Sequence, residues 1–169
     1  MQNESQPSNN EARAEAAFER LGTRRPKCSV PGCNESDWRA LTGKHPHILC
    51  YEHMCAEQGR STVEQQHTLG RKIDPDMEVT MAGNDHRIMD SYKDQWPKET
   101  RENPDGSPAL LAAAYLRVPF DWLIMIAKRY LEPVFLWLEA LDSLFCEKLG
   151  RRWWVGLGLP DIYSRRVEQ

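Results

Sequence analysis

Cys28-Ser-Val-Pro-Gly-Cys33, followed by His45-Pro-His47-Ile-Leu-Cys50-Tyr-Glu-His53-Met-Cys55, is the stretch that decides how this chain folds. Four of its five cysteines and three of its five histidines lie between residues 28 and 55. Two short pairs of soft ligands, separated by a loop, are what a tetrahedral metal site requires. Each pair supplies two adjacent corners, and the intervening chain swings the second pair round to complete them. Cys28, Cys33, Cys50 and His53 make one such set, with zinc as the ion that thiolate and imidazole donors suit best. Cys55 is a competing fourth ligand, and His45 and His47 sit close enough to substitute. Few apolar residues lie between 26 and 56, so a bound ion would organise that segment, contributing on the order of 10 kcal/mol or more.

The spacing Cys-Ser-Val-Pro-Gly-Cys with Leu-Cys-Tyr-Glu-His resembles the small Cys3His zinc modules of phage and mobile-element proteins, some of which precede an HNH endonuclease domain. The likeness covers about thirty of the 169 residues. It implies Cys28, Cys33, Cys50 and His53 as ligands, and a place in the cytoplasm of a bacterial host cell. The longer loop between the pairs and the additional Cys55 depart from that pattern.

An HNH centre needs a general-base histidine, a metal-binding histidine and an orienting asparagine on a ββα element. Asn84-Asp85-His86, with His67 upstream, is the only local echo. No histidine follows His86, so a solvated turn is the expectation for residues 83–86 and an HNH-like nuclease is the least favoured function.

Composition narrows the partners. The net charge is −3, with eight basic against eight acidic residues in 1–60, six against ten in 61–106 and eight against seven in 107–169. No global basic field advertises nucleic acid. Arg24, Arg25 and Lys27 beside the cysteine region are the candidate contacts for a zinc-dependent nucleic-acid-binding regulator, the alternative reading. The N-terminus lacks the basic start and apolar run of a signal peptide, and the cysteines read as metal ligands or free thiols rather than a disulfide framework.

The chain reads as mainly α, in five parts: a polar tail at 1–9, an N-terminal helix and zinc module at 10–69, an acidic irregular connector at 70–106, a helical unit at 107–150, and a Trp/Arg-containing tail at 151–169. Asn10 is placed to cap a helix over 11–21, which Gly22 stops. Turn signals crowd 70–106. Ser107-Pro108 opens a helix, Val118-Pro119 is expected to break it, and Pro133 to open or kink another, giving a hairpin or three-helix unit. Val134, Trp137, Leu138, Leu141, Leu144, Phe145 and Leu149 are spaced to face inward.

These C-terminal helices are apolar over more than half their circumference, more than two or three short helices can bury on each other. Trp122, Trp137, Trp153 and Trp154 are accordingly candidate interface residues, for a protein partner or a second copy. Arg117, Asp121, Lys128, Arg129 and further charges leave no charge-free run longer than about ten residues, against the ~20 of a spanning helix, and an acidic polar face disfavours an anionic lipid surface. There is no Gly-rich phosphate loop, no readable nucleophile–base pair and no sign of a small-molecule substrate. The sequence therefore points to a non-enzymatic zinc-containing adaptor or regulatory protein that binds another protein through its C-terminal helices.

Overall fold

Two antiparallel hairpins and the helices between and after them make up the computed structural model, which describes residues 9–70, 73–74 and 76–157. The elements run α1 (Asn9–Leu21), β1 (Leu41–Lys44), β2 (His47–Cys50), α2 (Tyr51–Glu57), β3 (Val63–His67), β4 (Glu78–Ala82), α3 (Gly83–Lys93), α4 (Lys98–Glu102) and α5 (Pro108–Ile126). A π turn (Ala127–Leu131), α6 (Glu132–Leu149) and α7 (Trp153–Gly156) follow. The fold is mainly helical, as its sequence suggests, with two small strand pairs near the cysteines. Contacts divide the chain into two units, residues 1–123 and 124–169.

In the first unit, α1 begins at Asn9, one residue ahead of the expected cap, and its last residue Leu21 is fully buried. Its carbonyl accepts the His45 N–H at 2.8 Å, and Arg20 donates to the Leu41 carbonyl at 3.1 Å, so α1 is tied to both ends of β1. The β1–β2 hairpin pairs Leu41 with Cys50 and Lys44 with His47. Gly43 adopts φ +88°, and a Cβ there would run into the His47 carbonyl, so this tight hairpin needs glycine. Leu21, Cys28, Leu41, Ile48 and Cys50 form one small core, flanked by Val30, Cys33 and Trp38.

The described residues from 76 to 106 carry more regular structure than their turn signals imply. The β3–β4 hairpin pairs Val63 with Ala82 and His67 with Glu78, and α3 follows β4 directly, making a ββα unit. Residues 83–86, expected as a solvated turn, instead open α3, with Gly83, Asn84 and Asp85 buried. A second core gathers Leu69, Trp96, Ala114 and Val118 with Ile73 and Trp122. The Trp96 indole N–H donates to Asp121 Oδ2 at 2.7 Å within it.

The expected break at Val118-Pro119 does not occur. Pro119 lies inside α5, and the helix carries on through the π turn to Leu149. A proline costs one backbone hydrogen bond and a local clash. Here Ala114 and Val118 ahead of the proline and Trp122 after it are all packed in the second core, which keeps the stretch helical across it. A single helix thus stands where a hairpin or three-helix unit was expected. By length and composition, residues 108–149 would suffice to cross a membrane: the best 18-residue window has a mean hydropathy of 1.6 and is 22 % buried. The charges that interrupt the run are too few in that window to exclude it.

In the second unit, most of the residues spaced to face inward do not, and Leu141 and Phe145 are only half-buried. Trp137 is 61 % exposed, and Val134, Leu138, Leu144 and Leu149 are exposed too, as are Phe135 and Leu136. Among the described residues only α7 follows, where Trp153 stacks at 60° on Phe145 and edge-on to Trp154. Trp153 Nε1 also donates to Asp142 Oδ1 at 2.8 Å. The tail beyond residue 157, including Arg165 and Arg166, and the polar stretch 1–8 lie outside the described residues.

Candidate metal centre

Three pieces of chain converge to build the site. The turn at 28–33 carries Cys28 and Cys33, with the Cys33 N–H donating to the Val30 carbonyl at 3.1 Å and Gly32 at φ +82° closing the loop. Strand β2 ends in Cys50, which is also the N-cap of α2 in an extended conformation. His53 then falls one turn into α2, on the same face as Cys50, since residues three apart on a helix are neighbours. The turn is fastened to β2 by the Ser29 N–H on the Ile48 carbonyl at 2.7 Å, and by the Ile48 N–H on Ser29 Oγ at 3.0 Å.

The three thiol sulfurs and one imidazole nitrogen all lie within 4.8 Å of one another. Cys50 Sγ is 3.0 Å and Cys28 Sγ 3.5 Å from His53 Nδ1. A tetrahedral ion with metal–sulfur bonds of ~2.3 Å sets ligand–ligand edges of about 3.8 Å, so this quartet has the dimensions to hold a metal ion. Four protein donors leave no open position for water or substrate, which makes any such site structural rather than catalytic.

The electrostatics of the thiols suit a bound cation. Burial opposes ionisation of Cys28, but the N–H groups of Val30 and Cys50 and the thiols of Cys33 and Cys50 outweigh it, and its pKa is lowered. Cys50 is pushed up to about 11, by burial first; hydrogen bonds involving His53 and Asn84 act against this, and the nearby charges of Cys28 and Cys33 add to it. Three thiolates this close would repel one another, and a positive charge among them would offset that repulsion.

The alternate ligands lie elsewhere. His45 and His47 are exposed on the β1–β2 hairpin. Cys55 is fully buried on α2, where its Sγ accepts from Arg60 at 3.0 Å. Of the basic candidates, Arg24 forks onto the Glu15 carboxylate at 3.0 and 2.8 Å, and Lys27 donates to Asn34 at 3.3 Å.

Beside the metal centre is a second polar cluster that only folding reveals. His67 on β3 and His86 on α3 line one open cavity of about 570 Å³, together with Glu64, Asp90, Arg87 and Lys93. His86 Nδ1 lies 2.8 Å from Glu64 Oε2 and 3.7 Å from Asp90 Oδ2. His67 Nε2 lies 3.2 Å from Glu78 across the hairpin. Gln66, almost wholly buried, donates to Asp90 Oδ1 at 3.2 Å. Lys93 donates to the His67 carbonyl at 2.6 Å, and its pKa is lowered by burial, against the opposing pull of Asp90 and Asp94. Asn84 does not orient either histidine: its Oδ1 accepts the Glu52 N–H at 3.1 Å, and its own N–H reaches Glu52 Oε1 at 3.2 Å. The roles of Glu64, Gln66 and Asp90 had no sequence signal beyond their position on either side of the two histidines.

No protein-family model, no curated protein and no solved structure matches this chain.

Proposed function

We propose that this chain is a non-enzymatic adaptor, folded at its N-terminal end around a structural zinc ion, that grips another protein through its long apolar helix. The observation that carries this reading is the exposure of Val134, Phe135, Leu136, Trp137 and Leu138, five consecutive large apolar residues, on α6. Scattered exposed apolar side chains are ordinary, but a contiguous run of this size is characteristic of an interaction surface. The donor set favours zinc, because three thiolates and an imidazole match its softness and its preference for four ligands. A photo-reactive residue placed at position 137 of the full-length protein tests the docking reading in the source cell. A discrete cross-linked protein, lost in Trp137→Asp and retained at high salt, supports it. Cross-links only to lipid, or none, overturn it.

A second reading is supported by the His67–His86 cavity on its ββα unit: metal-dependent cleavage of nucleic acid, with His86 and the carboxylates beside it holding a divalent cation. Gln66 and Asn84 weigh against it, since both are spent on other partners. Incubation of plasmid DNA with the purified chain and magnesium, manganese or zinc decides it. Cleavage abolished by His86→Ala and by His67→Ala establishes the nuclease, and intact plasmid under all three metals removes it.

A further inference from the structure

Helix α2 alternates two kinds of side chain. Cys50 at its N-cap and His53 within it belong to the metal quartet. Tyr51 and Glu52, between them in sequence, reach the other way. The Tyr51 hydroxyl donates to Glu64 Oε1 at 2.5 Å, and the second oxygen of that carboxylate is the one 2.8 Å from His86 Nδ1. Glu52 and Asn84 exchange the reciprocal pair of hydrogen bonds described above, which fixes the first turn of α3 two residues ahead of His86. The Arg87 guanidinium stacks over the Tyr51 ring at 4.0 Å and closes the same junction from the α3 side.

What holds α2 itself is the next question. It has only seven residues and no side-chain cap at its N-terminus, and isolated helices shorter than ~12–15 residues are marginal in water. Tyr51 and Cys55 bury one side. The other is anchored through Cys50 and His53, and a bound ion would fix both at once.

We infer that metal occupancy of the Cys3His centre sets the position of the His86 imidazole, with Tyr51 and Glu52 as the positioning residues that transmit it. When the ion leaves, the first turn of α2 frays, Glu64 loses the Tyr51 hydroxyl, and Asn84 loses Glu52. The Glu64 carboxylate 2.8 Å from His86 Nδ1 is then no longer held in place. The coupling rests on a metal at the centre and is independent of whether the chain is an adaptor or a nuclease.

Imidazole ¹⁵N spectra of the full-length protein, with zinc bound and after chelation, test it. The His86 ring resonances are expected to move on chelation, and to move in the same direction in zinc-loaded Tyr51→Phe with its zinc content unchanged. Arg13→Ala, which removes a different contact on α3 (to the Ser91 carbonyl, at 3.2 Å), is expected to leave them in place. His86 resonances that superpose on wild type in Tyr51→Phe, or that shift as far in Arg13→Ala, overturn the coupling. If chelation unfolds the chain, the Tyr51→Phe comparison decides alone.

Discussion

The Trp96 indole and the Asp121 carboxylate form a buried hydrogen bond of 2.7 Å that joins the segment after α3 to the middle of α5. Both residues are less than a tenth exposed. Burial raises the Asp121 pKa, while the Trp96 hydrogen bond and the Arg117 charge pull it down. A carboxyl raised in the folded state stabilises fully below its ordinary range, and that contribution is lost as pH rises through the folded value. Asp121→Asn keeps an acceptor for the indole without the charge, so it is expected to gain stability over wild type at neutral pH and to lose that advantage in acid. Trp96→Phe strands the carboxylate and is expected to cost about 1–3 kcal/mol. Thermal melts of the three proteins across this pH range check both statements.

Metal content is the most direct prediction. Elemental analysis of the purified protein is expected to give equimolar zinc, and Cys50→Ser or Cys28→Ser to abolish it. Because Cys50 without metal holds its proton up to about 11, ion uptake at neutral pH must release protons. Affinity is therefore expected to fall steadily as pH drops. Competition with a chromophoric chelator at several pH values measures the slope.

Gly83 offers a purely steric test. A Cβ there would lie 2.8 Å from Tyr51 Cδ1 and 3.1 Å from the Thr62 carbonyl oxygen, which belongs to the backbone and cannot turn aside. Gly83→Ala is expected to destabilise by about 1–3 kcal/mol, as overpacking does. Gly59→Ala meets nothing within 4 Å, but its φ of +64° penalises any side chain, so it reports the backbone cost alone. Chemical denaturation of both variants separates the two effects.

On the second unit, Trp137→Asp is expected to weaken association while leaving the zinc content and the folding of residues 9–123 unchanged. Light scattering at low and high salt distinguishes apolar association, which persists, from electrostatic association, which fades.

The metal quartet was legible because cysteine and histidine at those spacings have few other uses, and the geometry of such a site depends on short local segments. The long helix was half legible. Its apolar period was plain, but periodicity shows only that a face wants burial, not that the burial happens within the chain: Trp137 and Leu138 have the spacing of core residues and sit in solvent. The β3–β4 hairpin and α3 were hidden for a different reason. Val63-Glu-Gln-Gln-His67 lacks the apolar alternation of a strand, because Gln66 is buried through its hydrogen bond to Asp90, a partner 24 positions on. Asn84 and Asp85 look like turn formers until Glu52 supplies Asn84 with a long-range match.

The bare flank of α6 has a practical consequence for handling the protein. Five neighbouring greasy side chains in water are an invitation to clump, from the ribosome onward. Overproduced by itself, the chain is expected to enter inclusion bodies or micelle-like aggregates, and truncation ahead of residue 124 to improve its yield in soluble form.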